Sequence, residues 1–178
     1  RTLIEDADKI HSSHDFGKDI IPNHIAKAHA RAFPFRNEKD EPGYWRDVGT
    51  VYSYWQANME LCAIEPELNL YDRDWPIWTY QPQSPPVKFV FNQAGRRGEA
   101  VDSLVSTGCI ISGASIHRAV IDKACVIPDN TVIGENLEED RKRFHVSEEG
   151  IVLVTAEMFG QKLHTGDYDK LWRERYGK

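Results

Sequence analysis

The chain has 178 residues, 40% of them apolar, enough to bury one core plus a smaller module and too few for several full-sized domains. Its 28 acidic and 22 basic residues leave a formal charge of -6 with no long run of either sign, so neither a nucleic-acid-binding surface nor a polybasic membrane surface is indicated. Cys62, Cys109 and Cys125 are odd in number, far apart and without a CxxC pair, which argues against a zinc knuckle and fits a reducing, cytoplasmic compartment. No apolar stretch approaches the roughly 20 residues of a membrane span, and the N-terminus has no apolar signal core. The chain begins at Arg1 instead of methionine, as a piece of a longer protein would.

In chain order, Leu3, Ile4, Ala7 and Ile10 have the three-and-four spacing of a helix face, so a first helix is expected through about Ile10. The string "SSHDFGKD" breaks it with serines and a glycine. A second helix is expected from Ile20 to Ala32, with Pro22 near its start, where a missing N–H costs little. "AFPF" is extended, because the residue before a proline is pushed out of the α region. Beyond the polar loop "RNEKDEPG", "YWRDV" suits a strand, and Thr50 can cap a helix whose buried face holds Val51, Tyr54, Trp55 and Cys62. Five prolines between Pro66 and Pro86 exclude regular helix there, while the aromatic residues among them favour an ordered connector. "VKFVF" then reads as a short strand and "NQAGRRG" as a turn.

The most regular part of the chain follows. Apolar pairs begin at Leu104, Ile110 and Ile116, and again at Val120, Val126 and Val132. The beat is six, whereas an amphipathic helix needs 3.6 and an ordinary strand two. Small residues fill each gap, as in Gly108-Cys109, Ala114-Ser115, Ala124-Cys125 and Asn130-Thr131, so every corner can turn tightly while a branched side chain points inward. That is the pattern of a parallel β-helix, in which each coil covers the apolar edge of the next. The beat slips once, at "HRAV", where the step is four and something is missing or looped out. The tail adds a charged helical turn, an apolar strand at Ile151 to Val154 and a short helix after Thr155; the final stretch frays or docks by Trp172.

Asp47 admits two readings. It pairs with Arg46 or Arg36, or merely caps the next helix; or, followed by Gly49 and a helix start, it sits where α/β folds place their ligands and could hold a hard cation together with phosphate oxygens. Trp45 beside it offers a flat wall for a sugar or base. In "HDFGKD", His14, Asp15, Lys18 and Asp19 form either an anion-binding helix start or a solvated capping loop. His117, inside the repeats, is a candidate general base of the hexapeptide-acyltransferase kind, weakened by its place at the slip. Lys88, Arg96 and Arg97 are a small anion site or plain solvated charge. The 178 residues contain neither G-x-G-x-x-G nor G-x-x-x-x-G-K-[ST].

Taken in order, "SSHDFGKDIIP", "YWRDVGT", "PELNLYDRDWPIWTYQ", "PPVKFVF", "DSLVSTGCIISG", "IDKACVIPDNTVIGEN", "EEDRKRF" and "SEEGIVLVT" closely resemble bacterial glucose-1-phosphate adenylyltransferases, from about Ser12 to Lys162. The resemblance implies an α/β chain: residues 1–65 are the C-terminal end of a Rossmann-like nucleotidyltransferase domain, 66–100 a connector, and 101–178 a shortened left-handed parallel β-helix with its tail. It implies a homotetramer that joins ATP and glucose 1-phosphate into ADP-glucose and pyrophosphate for glycogen or starch. Asp47 would help hold Mg²⁺, while Asp15, Phe16 and Trp45 would line the glucose 1-phosphate side. The family's glycine-rich nucleotide loop, second metal aspartate and sugar-phosphate lysine fall upstream of Arg1, so the chain alone is expected to be inactive. The family also has several more coils where this chain has "HRAV". Enteric relatives carry activator-binding arginines just after the "VLVT" strand, where this chain has Ala156 and Gly160. Lys123 stands where relatives often place an arginine near the inhibitor nucleotide, so an altered response to allosteric metabolites is expected. The rival readings are a non-catalytic subunit docking through its β-helix and an acyltransferase using His117.

Overall fold

The computed structural model describes residues 2–25, 30–37, 40–74, 76–79 and 83–161, and the chain divides into two compact units between Tyr44 and Trp45. That division falls inside the stretch 1–65 expected to form one piece.

In the first unit, α1 covers Thr2–Ala7 and stops short of Ile10. Its expected apolar face is not the buried one: Leu3 and Ile4 are 53% and 71% exposed, whereas Asp6 is only 2% exposed. The reason is polar. Asp6 accepts hydrogen bonds from the Ser12 hydroxyl at 2.8 Å and Lys9 Nζ at 3.3 Å, and lies 3.2 Å from His14 Nδ1, so a carboxylate takes the inward position and satisfies the turn that follows. A π-helical turn, Phe16–Ile20, runs straight into α2, Ile21–Ile25, with Pro22 in its first turn. The expected helix to Ala32 extends into residues outside those described, and residues 30–32 are not helical.

"YWRDV", at the junction of the two units, carries no regular secondary structure and pairs with no strand, so the expected strand is absent. Helix α3, Val51–Glu60, begins where expected: Thr50 Oγ1 accepts the Ser53 N–H at 3.1 Å and Ser53 Oγ accepts the Thr50 N–H at 3.1 Å. This reciprocal cap satisfies two otherwise orphaned donors. The expected buried face is not closed over, since no residue of α3 is fully buried, Tyr54 is 47% exposed and Cys62 is exposed. Trp55 docks the helix onto the coils: its Nε1 donates to the Asp102 carbonyl at 2.8 Å, and the Arg118 guanidinium lies 5.1 Å from its ring centroid.

The β-helix begins at Lys88, inside the stretch 66–100 expected to be connector. Strands β1 (Lys88–Val90), β4 (Ile110–Ser112) and β7 (Val126–Ile127) form one parallel sheet; β2 (Glu99–Val101), β5 (Ser115–His117) and β8 (Val132–Ile133) form a second. A third holds β3 (Leu104–Val105), β6 (Ala119–Ile121) and β10 (Val152–Val154) in parallel, with β9 (His145–Val146) antiparallel at its edge. Register stacks like on like: Phe89, Ile111 and Ile127 in the first sheet, Ile116 and Ile133 in the second, Val105, Ile121 and Val154 in the third. In the six-residue beat one member of a pair points in and the other out, so Ile127 and Ile133 are fully buried while Val126 and Val132 are 47% and 38% exposed.

The phase slip is a corner of one residue. Strands β5 and β6 are separated by Arg118 alone, which turns the chain at a φ of 47°. Ile110 therefore meets Val126 and Leu104 meets Val120, sixteen residues on, and the coil closes without looping anything out. Beyond β8, the short helix α4, Leu137–Arg141, carries Asp140 inward, where it accepts the Gly134 N–H at 2.8 Å and Arg143 Nη2 at 3.0 Å. Phe144 and Phe159, ring centroids 5.3 Å apart, finish the end of the core.

Two outcomes follow from this packing. Gly134 sits at a φ of 85° with the His117 carbonyl oxygen 1.8 Å from where a Cβ would stand, whereas Gly95, at 75°, has open space around it. Denaturant titration should show Gly95→Ala costing about 1 kcal/mol and Gly134→Ala about 3 kcal/mol or more, because only the second adds a backbone collision to the positive-φ penalty. The Ser12 hydroxyl above all, helped by His14 and Lys9, holds Asp6 below its usual 3.8 against the opposing effect of burial. A depressed carboxylate stabilises the folded state above its unfolded value and loses that contribution as pH falls through the folded one. The Ser12 and His14 amide resonances should therefore shift as pH drops below about 4, and Asp6→Asn should abolish that step.

Candidate functional site

The residues singled out in the sequence fall in both units. In the first, Asp15 has extended backbone and caps the π-helical turn, its Oδ1 accepting the Lys18 N–H at 2.8 Å. Asp19 folds back to accept the N–H groups of Ser13 and Asp15 at 3.2 and 3.3 Å, together with the Ser13 hydroxyl. Asp6 and Asp19 thus brace the "SSHDFGKD" loop from two sides, and Phe16 is left 58% exposed at its start. A cleft of about 420 Å³ runs along the same loop, bordered by Asp6, Lys9, Ser12, Asp19 and Asn23 but not by Asp15 or Phe16. Asp6 went unnoticed in the sequence because a helix-face count scores apolar residues and passes over a carboxylate.

In the second unit, Asp47 is exposed and accepts one hydrogen bond among the described residues, from the Gly49 N–H at 3.0 Å. Neither arginine claims it. Arg46 forks onto Glu60, with Nη2 and Nε at 2.8 and 3.1 Å from the two carboxylate oxygens, and Arg36 faces Asp40 at 3.5 Å. Thr50, not Asp47, caps α3. Among the described residues neither structural explanation for Asp47 holds, and its carboxylate accepts no other hydrogen bond. Gly49 permits this fold-back: a Cβ there would stand 3.2 Å from Asp47 Oδ1. Trp45, two residues away, is 83% exposed.

No group of three or more His, Cys, Asp or Glu side chains that could hold a metal occurs among the described residues. What Asp47 fits is the role of a single hard oxygen ligand, the kind that Mg²⁺ takes alongside water and substrate phosphates. Trp55 and Arg118, which fix α3 and so the end of the Asp47 segment, are the positioning residues that the linear pattern did not disclose. The indole–carbonyl bond joins residues 47 positions apart, a relation no local spacing encodes.

The remaining candidates have structural duties. His117 is half-buried, and its Nε2 faces both Ser115 Oγ at 3.2 Å and Glu135 at 3.7 Å, while Ser115 also bonds Glu99. One ring nitrogen committed to that cluster is poorly placed to take a proton from a substrate. Arg97 Nε donates to the Phe89 carbonyl at 3.3 Å and lies over Phe91, which ties it to the first coil. Lys123 is exposed on the corner after β6. Ala156 is buried in a 3₁₀ turn, Ala156–Phe159, that Gly160 ends at a φ of 68°.

Residues 1–64 match the nucleotidyl transferase family, and residues 85–120 and 114–154 match the GlmU-like C-terminal hexapeptide family. The two hexapeptide matches overlap across the corner at Arg118. A glucose-1-phosphate adenylyltransferase of Thiobacillus denitrificans is 51% identical over 210 aligned positions, covering 99% of this chain and 47% of the relative. The enzymes of that name from Hydrogenovibrio crunogenus and Methylococcus capsulatus are 56% and 55% identical, each covering 91% of this chain and 47% and 46% of the relative. The chain spans about half the length of the curated relatives it matches, and the 210 aligned positions exceed its own 178 residues, so aligned segments are absent from it. By sequence, this chain belongs with the bacterial glucose-1-phosphate adenylyltransferases, as a partial and internally shortened member.

Proposed function

We propose that the parent of this chain joins ATP and glucose 1-phosphate into ADP-glucose with release of pyrophosphate, that residues 1–65 belong to its catalytic domain, and that 66–100 form a connector whose last part, from Lys88, already stacks as the first coil of the β-helix that 101–178 continue with the tail. The observation that carries this reading is the carboxylate of Asp47, held by one backbone N–H, while the adjacent Arg46 is committed to Glu60. Asp47 would be one ligand of Mg²⁺, which, when bound, offsets charge on the reacting phosphates. Asp15, Phe16 and Trp45 would line the sugar-phosphate side: Trp45 offers an apolar wall for a sugar ring, and Asp15 fixes the turn that presents Phe16.

Attack would come from a phosphate oxygen of glucose 1-phosphate on the α-phosphorus of ATP, with the bond to pyrophosphate breaking. This chain's contribution is positioning, which supplies much of the acceleration in reactions of charged phosphates. Lys123 would face an allosteric metabolite as a point charge without the fork of an arginine. The parent would work as a cytoplasmic homotetramer.

Manganese serves as a paramagnetic probe of the metal side. With glucose 1-phosphate present, Mn²⁺ should broaden the Trp45 and Gly49 amide signals, and Asp47→Asn should weaken that effect at least roughly tenfold. Unchanged broadening in Asp47→Asn would remove Asp47 from the metal site. The 178-residue protein, having no glycine-rich phosphate loop, is expected to form no ADP-glucose from ATP and glucose 1-phosphate in a coupled pyrophosphate assay; measurable turnover would refute that assignment.

A further inference from the structure

Cys109 and Cys125 occupy the same place in successive coils. Each immediately precedes a register partner of the first sheet, Ile110 and Val126, and the Ile110 N–H donates to the Cys125 carbonyl at 2.9 Å. One residue further back, the Ala124 N–H donates to the Thr107 carbonyl at 3.0 Å, so the ladder holds the two cysteines on both flanks. Both are fully buried, and both are free thiols. Paired strands lie about 4.8 Å apart, within the roughly 4.4–6.8 Å between Cα atoms that a disulfide spans. The neighbouring Cys125 thiol is the main influence lowering the Cys109 thiol to about 7, and the same neighbour together with burial pushes Cys125 up. Cys109 Sγ lies 3.0 Å from the Asp122 carbonyl, which fixes its rotamer inside the corner.

We propose that Cys109 and Cys125 form a reversible dithiol–disulfide pair, a modification site inside the coil that reacts with small peroxides. Cys109, whose thiol donates to the Asp122 carbonyl at 3.0 Å, is taken as the attacking sulfur and gives up that proton as it attacks. Its sulfur bonds to one peroxide oxygen as the O–O bond breaks, and the departing hydroxide takes a proton to become water. The Cys125 sulfur then attacks the Cys109 sulfur, the S–O bond breaks, and the leaving hydroxide takes the Cys125 proton. One peroxide is reduced to two waters and two thiols are oxidised to one disulfide. Directly opposed strand positions do not reach ideal disulfide geometry without a small movement, so the bond is expected to be readily reduced by a dithiol. The slip corner is what makes the pair: a coil two residues longer would not bring Cys125 into this register against Cys109.

The test uses the full 178-residue chain carrying Cys62→Ser, which removes the exposed thiol and with it intermolecular cross-links. After exposure to hydrogen peroxide the protein is denatured, alkylated and weighed. The expected result is simultaneous loss of both alkylatable thiols in a monomer lighter by two hydrogens, a cross-linked peptide pair holding Cys109 and Cys125, and full recovery of both thiols with dithiothreitol. Adding Cys125→Ser should replace the cross-link by a sulfenic acid at Cys109 that dimedone traps. The proposal is overturned if both thiols stay alkylatable under peroxide that fully oxidises Cys62 in the unsubstituted protein. It is equally overturned if Cys109 advances to sulfinic acid while Cys125 remains a thiol.

Discussion

Coil-on-coil stacking of inward branched side chains is the constraint on which the rest of the second unit depends. Ile111 on Ile127, Ile116 on Ile133 and Ile121 on Val154 each bury a side chain that its own coil could not cover. At about 1.5–3 kcal/mol for each such side chain removed from water, these columns outweigh any single surface ion pair in the unit, which contributes about 1 kcal/mol at most. The backbone ladder then has no freedom to slip, because a shift of one residue would exchange Ile127 with the exposed Val126. The corners adapt to the columns, and four non-glycine residues, Asp102, Arg118, Ala124 and Asn130, accept positive φ so that the stacks stay aligned.

Those corners also carry the link to the candidate site. Asp102 and Arg118 turn the chain between the second and third sheets, and both engage Trp55. Helix α3 is therefore fixed by one aromatic residue on two strained corners of the β-helix. Asp47 lies just ahead of the Thr50–Ser53 cap, so its placement relative to the coils passes through Trp55. No residue of the helix is fully buried, so this anchor adds to partial burial along α3 and to the Arg46–Glu60 pair.

The first unit obeys a different logic. Its loop is organised by carboxylates: Asp6 gathers side-chain donors and Asp19 backbone donors, and among the described residues no buried side-chain polar atom lacks a partner. Hydrogen-bonded networks of this kind fix geometry without supplying much burial energy. That suits a loop whose proposed task is to present Phe16 and Asp15 in one arrangement. Leu3, Ile4 and Phe33 remain exposed in the same unit.

The sequence by itself determined the β-helix, because a beat of six with small residues between is a pattern only stacked coils can satisfy, and it located the corner at "HRAV" through a break in that beat. It determined the start of α3 at Thr50, since capping is read from four adjacent residues, and it marked Asp47, Trp45, Asp15 and Phe16 through a family resemblance that the comparisons carry to 51–56% identity. Tertiary structure alone decided that "YWRDV" finds no partner strand, that α3 docks by Trp55 with its other apolar residues left partly open, and that Asp6 is the inward residue of α1. It also decided that Arg46 belongs to Glu60, which frees Asp47. In each case the outcome turns on which distant donor, ring or strand is within reach, and contacts between residues far apart along the chain leave no mark on its local spacing.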